Sequence, residues 1–168
     1  MGSKAEVVKL TDGTHAELMT EWMYGWWGRR ENYPREAVRE YILHSFGVER
    51  LPQTYGLFAG GELAGMYQFT NGDLFVRPDI YPWLANVYLE PRFRGVGLGR
   101  VLLESVRGNA SAAGLDELYL YTAHTELYEK FGWEYVRDID TYLDPRMQRL
   151  YRLDLRRPGS ENDPLFRR

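Results

Sequence analysis

The sequence predicts a single-domain α/β protein with helices flanking a mixed sheet, and three observations support this. Strand-like runs and helix-like periodicities interleave: a strand and two helices come first, then a group of strands, then helix, strand, helix and two strands. At 168 residues the chain has the length of one domain and can bury a continuous core without staples. No internal repeat or low-complexity linker divides it.

Glu6 to Leu10 alternates weakly and meets the turn and cap cluster Thr11-Asp12-Gly13-Thr14, so a short strand leads into a helix from about His15 to Trp27. Gly28 to Pro34 breaks that helix, and Pro34 opens a second one through Glu36, Val38, Tyr41, Ile42 and Phe46, stopped by Gly47. Thr54 to Phe58 and Leu63 to Phe69 read as antiparallel strands joined at Gly60-Gly61, where positive φ suits a tight hairpin. Asn71-Gly72-Asp73 and Arg77-Pro78-Asp79 punctuate a loop before the apolar run Trp83 to Leu89, a central strand. Leu98, Val101, Leu102, Ser105 and Val106 keep helical spacing up to the cap Gly114. A strand over Leu118 to Thr122, a short helix around Glu126 to Lys130, and strands over Trp133 to Val136 and Leu150 to Leu155 complete the order. The charged tail from Arg156 to Arg168 is expected to be flexible.

Composition narrows the function. A net charge of -3 with a pI near 5.7 offers no basic surface for phosphate backbones, so nucleic acid is not an expected partner. The chain has no cysteine, which excludes disulfides, thiolate metal sites and cysteine nucleophiles. His15, His44 and His124 show no ligand spacing, so no metal is expected. No signal-like segment or run of ~20 apolar residues occurs, and a cytoplasmic protein without membrane attachment is expected. Thirteen Tyr, seven Phe and five Trp point to a pocket walled with rings.

The segment Arg94-Gly95-Val96-Gly97-Leu98-Gly99 joins the end of the central strand to an amphipathic helix. Glycines let the backbone approach a ligand, the first helical N–H groups are unpaired, and the helix dipole adds roughly half a positive charge, so the turn suits a pyrophosphate. Arg92, Arg94 and Arg100 add positive charge there. Glycines that merely shorten a turn are the competing reading, which the alternation of three glycines with flanking arginines disfavours. A P-loop would require Gly-Lys followed by Ser or Thr, and a dinucleotide fingerprint would place its third glycine one residue later; neither fits.

Arg94-x-x-Gly97-x-Gly99 after a strand resembles the acyl-CoA signature of the GNAT (GCN5-related N-acetyltransferase) superfamily. Leu127-Tyr128-Glu129-Lys130-Phe131-Gly132-Trp133 is similar to the segment in which those enzymes carry a tyrosine near the thioester sulfur. Pro82-Trp83-Leu84-Ala85 looks like a small bacterial branch of the superfamily. The resemblance covers residues 5 to 155 and implies a mostly antiparallel sheet of six to seven strands, about four helices, and a central strand splayed from its neighbour. It implies acetyl-CoA as co-substrate, held by backbone groups of Val87, Tyr88 and Leu89 and by the turn from Arg94 through Gly95, Val96, Gly97, Leu98 and Gly99 to Arg100. Tyr128 takes the place of the general acid, against the alternative of simple packing in a short helix.

An alkylammonium acceptor must lose a proton, yet Trp83 to Leu89 contains no carboxylate where some relatives carry a glutamate. Strand parity puts Leu84, Asn86 and Tyr88 on one face and Trp83, Ala85, Val87 and Leu89 on the other. Asn86 could orient a water, and Asp79, Glu90 and His124 could act through one, so a water relay is expected. Superfamily members bind acceptors with the first two helices and the loop before the central strand, which nominates Trp26, Trp27, Asp79 and Asn86. Helical spacing of Trp22 and Trp26 equally describes a core face. The implied reaction is direct acetyl transfer to a small-molecule amine or a peptide N-terminus, by a monomer or homodimer. The rival is a catalytically silent acyl-CoA-binding sensor.

Overall fold

The computed structural model describes residues 4–156. Its strands are β1 (Glu6–Leu10), β2 (Gln53–Ala59), β3 (Glu62–Thr70), β4 (Trp83–Leu89), β5 (Glu117–Thr122), β6 (Glu134–Ile139) and β7 (Gln148–Asp154), and its α-helices are α1 (Ala16–Met23), α2 (Arg35–Leu43) and α3 (Leu98–Ala112). The strands form one sheet in the order β1-β2-β3-β4-β5-β7-β6. Every pairing is antiparallel except β4 with β5, which is parallel and limited to Trp83 opposite Tyr119. The expected short helix near residues 126–130 closes as a single 3-10 turn, Tyr128–Phe131, ended by Gly132 at φ 88. The predicted tail lies, beyond Arg156, outside the described residues. No helix among those residues is long and apolar enough to cross a membrane.

Both faces of the sheet are covered. Leu102, Leu103, Val106 and Ala110 of α3 pack on Tyr55, Leu57, Tyr67, Phe69, Leu84 and Tyr151. On the other face α1 and α2 bury Met19, Trp22, Met23, Val38 and Ile42 against Leu63 and Met66. Trp22 is therefore a core residue, whereas Trp26 is 44% exposed. The helical periodicity shared by the two did not separate those fates.

Helix α1 does not run evenly to Trp27. After Met23 it widens into one π turn, Tyr24–Gly28. Gly28 ends the turn where α2 crosses, and a Cβ there would lie 2.8 Å from Val38 Cγ2. This close approach seats Trp27 edge-on against Tyr41, with ring centroids 5.8 Å apart.

Strand β4 departs from regular alternation. Its register against β3 passes from Gln68 opposite Ala85 to Met66 opposite Tyr88, so one extra residue sits in β4, and Asn86 takes φ 52. Leu84, Val87 and Leu89 consequently join the α3 side of the core, while Tyr88 joins the α1/α2 side. The expected common face for Leu84, Asn86 and Tyr88 is thus corrected: the bulge shifts the alternation by one, and Leu84 lies opposite the other two.

Candidate active site

The turn ahead of α3 has the backbone that its glycines foretell. Gly95 (φ 81) and Gly97 (φ 86) both occupy the left-handed region, where a side chain adds strain. Gly97 immediately precedes α3, no side chain caps the helix, and nothing lies within 4 Å of a Cβ built on Gly95, Gly97 or Gly99. The first-turn N–H groups thus face open space, as an anion site requires.

The arginines contribute less uniformly than expected. Arg92 pairs with Glu90 at 2.9 Å and Glu62 at 3.3 Å, and Arg100 pairs with Glu104 at 2.7 Å, so each already has a carboxylate partner. Arg94 has none among the described residues; its Nε donates to the Leu89 carbonyl at 2.7 Å and its guanidinium lies 5.7 Å from the Tyr88 ring centroid. Of the three, Arg94 has the charge free for a phosphate.

Beyond Trp83, the edge of β4 that faces β5 has no strand partner. Val87, Tyr88 and Leu89 lie on this parted stretch, so backbone groups there are free to hold an extended chain such as a pantetheine arm. The glycine turn and the parted edge lie at the two ends of the segment from Leu89 to Gly95, and they fit an acyl-CoA by the chemistry they present.

A cavity of 860 Å³ reaches from the α1/α2 face to the parted strands. Tyr128 lines it and is 8% exposed. Its ring packs against Trp133 and Tyr151, each 6.1 Å away between centroids, and its hydroxyl has no hydrogen-bond partner among the described residues. Burial pushes the phenol up to about 12. It therefore remains a proton donor throughout the neutral range.

One end of this cavity is walled by Trp26, Trp27, Tyr33, Tyr41 and Tyr121. Trp27 Nε1 donates to Asn86 Oδ1 at 3.1 Å, and Asn86 Nδ2 donates to the Tyr41 hydroxyl at 3.1 Å and to Gln68 Oε1 at 2.7 Å. Both amide protons of Asn86 are thus engaged. Asn86 positions the wall and is not a free water-orienting group.

Three carboxylates of this cavity escaped sequence reasoning, Glu31, Asp73 and Asp144, the last of which is held by Arg146 at 3.1 Å. Asp73 follows β3; its surface is exposed to the cavity, while protein encloses it on the remaining sides. That enclosure, and then the negative charge of Glu31, raise its carboxyl to about 6. Burial, followed by the charge of Asp73, raises the Tyr41 hydroxyl to about 12.

Other candidates fall elsewhere. Asp79 is exposed, does not line the cavity, and is held by Arg77 through contacts of 2.8 and 2.7 Å, which keep its carboxyl below the usual range. Glu90 is taken by Arg92 outside the cavity. His124 lines it at the end of β5. No group of three or more metal-ligating side chains occurs among the described residues.

A mixed sheet parted between β4 and β5, a glycine-lined helix start and a cavity joining the two faces define the acyl-CoA N-acetyltransferase class. The sequence profile of the Acetyltransferase (GNAT) family matches residues 16–133, and the chain belongs to that family. Its fold is similar to that of a GNAT acetyltransferase from Staphylococcus aureus Mu50, at 15% identity and a TM-score of 0.63 over 91% of this chain and 100% of that one. It is also similar to a GNAT acetyltransferase from Elizabethkingia anophelis with acetyl-CoA bound, at 18% identity and a TM-score of 0.62, covering 90% and 98%. A third is an acetyltransferase from Salmonella typhimurium that modifies the N-terminal serine of a ribosomal subunit protein, at 12% identity and a TM-score of 0.65, covering 89% and 94%. No curated protein matches the chain by sequence.

Proposed function

We propose that the chain moves acetyl directly from acetyl-CoA to a primary amine within a ternary complex, with Tyr128 as proton donor to the departing sulfur. One observation carries this reading: Tyr128, a largely buried tyrosine whose hydroxyl has no protein partner among the described residues, lines the same cavity as Val87 on the parted edge of β4.

Acetyl-CoA, when bound, supplies an activated carbonyl with a thiolate leaving group. Gly95 to Gly99, with Arg94, hold the pyrophosphate, and Val87 to Leu89 offer backbone partners to the arm. Tyr128 then donates to sulfur as charge develops on it. Transfer from a phenol at about 12 to a thiolate whose thiol has a pKa of ~8.5 is uphill by about 5 kcal/mol if both values hold. Enclosure in the same cavity raises the thiol as well, and coupling donation to C–S cleavage avoids a free thiolate. Lacking cysteine, the chain offers no thiol for an acyl-enzyme, in keeping with direct attack.

The domain spanning residues 5–155 carries all of these groups. Asp73 supplies from the β3–β4 connection the carboxylate that β4 lacks, which favours catalysis over a silent acyl-CoA sensor. The test is a panel of amines, including peptides with free N-termini, assayed for release of CoA from acetyl-CoA. Release dependent on a particular amine supports transfer; no release with any amine, despite binding of acetyl-CoA, supports the sensor.

A further inference from the structure

We propose that the acceptor enters as its ammonium ion, caged by aromatic rings and paired with Asp73, and that Asp73 takes its proton. This deepens the acetyl-transfer reading and rests on it. It names the substrate class as cationic alkyl- or aralkylamines and assigns the proton acceptor missing from β4.

The geometry starts with the carboxylate. Asp73 lines the cavity, and no hydrogen bond or ion pair engages it among the described residues. Nearby cations are otherwise occupied: Arg77 holds Asp79 at 2.7 Å, Arg146 holds Asp144 at 3.1 Å, and Arg30 lies 3.5 Å from Glu31. Asp73 is thus an anion without a counter-ion, in a cavity that also contains Glu31. A cation arriving there meets uncompensated negative charge.

The walls favour a cation independently of that charge. Trp27 is fixed by Asn86 and stands edge-on to Tyr33 at 6.0 Å and to Tyr41 at 5.8 Å, so its rotation is restricted before a ligand arrives. Ring faces attract ammonium groups by about 0.5–2 kcal/mol each, more when water is excluded. Tyr121 closes the cavity from β5, and its hydroxyl too is raised, first by burial and then by the charges of Asp73 and Glu31. A second pointer to a ligand is the unpartnered hydroxyl of Tyr128 in the same cavity.

The step balances without another reactant. One N–H bond of the ammonium breaks and its proton joins a carboxylate oxygen of Asp73. The freed lone pair forms the bond to the carbonyl carbon, the C–S bond breaks, and sulfur takes the Tyr128 proton. The nitrogen loses a second proton, which restores the phenol, and Asp73 returns its proton to solvent. The sum is an amide, a thiol and one released proton.

Several titratable or charged groups share the cavity with the carboxylate. Arg30 and Glu31 face it from the segment between α1 and α2, and Tyr41 from α2. Tyr121 and His124 face the cavity from the end of β5, and Asp144 from the β6–β7 connection. On Asp73 itself, enclosure acts most strongly and the negative charge of Glu31 second. Removing that charge therefore lets Asp73 ionise at lower pH.

The experiment uses the full chain. Benzyltrimethylammonium, which cannot be acetylated, is titrated calorimetrically against the wild type, Asp73→Asn and Glu31→Gln, with neutral benzyl alcohol as control. Wild type should bind the cation at least tenfold more tightly than the alcohol, and Asp73→Asn should lose that preference. Equal affinity in wild type and Asp73→Asn would overturn the cage. With benzylamine and acetyl-CoA, Asp73→Asn should lower kcat/KM by about a hundredfold. Glu31→Gln should move the acidic limb of the pH profile downward; an unmoved limb, or an unchanged rate in Asp73→Asn, would overturn the base assignment. Thermal stabilisation by acetyl-CoA should be alike in all three proteins. Cation binding without transfer to any amine would leave the cage standing and sink the acetyl-transfer reading instead.

Discussion

Replacing Asp73 with Asn should stabilise the folded protein at pH 8 while impairing its chemistry. The carboxyl stands at about 6, roughly two units above its ordinary value of 3.8. At about 1.4 kcal/mol per unit, that corresponds to an upper bound of about 3 kcal/mol. The group faces solvent within the cavity, so screening reduces the effect to on the order of 1 kcal/mol. Because the folded-state value is raised, the folded protein holds the proton more tightly than the unfolded chain does. Stability is therefore lost as pH rises from about 4 through about 6, and the full penalty applies above that window. Asn removes the charge at nearly constant shape. Urea unfolding at pH 8 should show the variant more stable by about 1 kcal/mol, a gain in melting temperature of about 2–4 °C for a chain of this size. At pH 4 the two proteins should differ little, since the wild-type carboxyl is already protonated in the fold. An equal difference at both pH values, or a less stable variant at pH 8, would refute the reasoning.

Two other substitutions separate the roles of the site. Tyr128→Phe should lower kcat by about a hundredfold with little change in acetyl-CoA affinity, and it should leave stability nearly unchanged because the hydroxyl has no partner to lose; single-turnover kinetics beside equilibrium binding checks both, and an unchanged kcat removes Tyr128 from the mechanism. Gly97→Ala places a methyl group at φ 86 with no neighbour within 4 Å, so its cost is backbone strain alone, about 1–2 kcal/mol in urea unfolding. The same substitution should weaken acetyl-CoA binding measurably, because it perturbs the first helical amides.

What the sequence made legible was local. The turn from Arg94 to Gly99 and the segment around Tyr128 each contain their information within a few residues: the first leads into α3 and the second forms a single 3-10 turn. The parting of β4 from β5 came through resemblance, and its cause is a register that no single strand displays. The loop aspartates show the opposite case. Asp79 and Asp73 both follow turn signals, but Arg77 stands two residues before Asp79 and captures it, a signal that could have removed it from the acceptor site. Nothing local marks Asp73, because its surroundings are assembled from the π turn and the segment after it, α2 and β5, distant in the chain. Tyr41 was more accessible: with Ala37 and Val38 it lies at helical spacing on the face of α2 that lines the cavity.

Asn86 ties the irregularity of β4 to the aromatic wall of the cavity. A regular β4 would keep Leu84, Asn86 and Tyr88 on one face. The bulge instead keeps Tyr88 toward α1 and α2 while Val87 and Leu89 turn toward α3. The left-handed conformation at its centre costs an ordinary residue about 1–2 kcal/mol, and asparagine less. Three hydrogen bonds, from Trp27 and to Tyr41 and Gln68, contribute about 0.5–1.5 kcal/mol each and so outweigh the strain. Those bonds simultaneously fix two rings of the acceptor wall. The contacts that hold the cavity's aromatic end in place therefore also hold the strand in its irregular path.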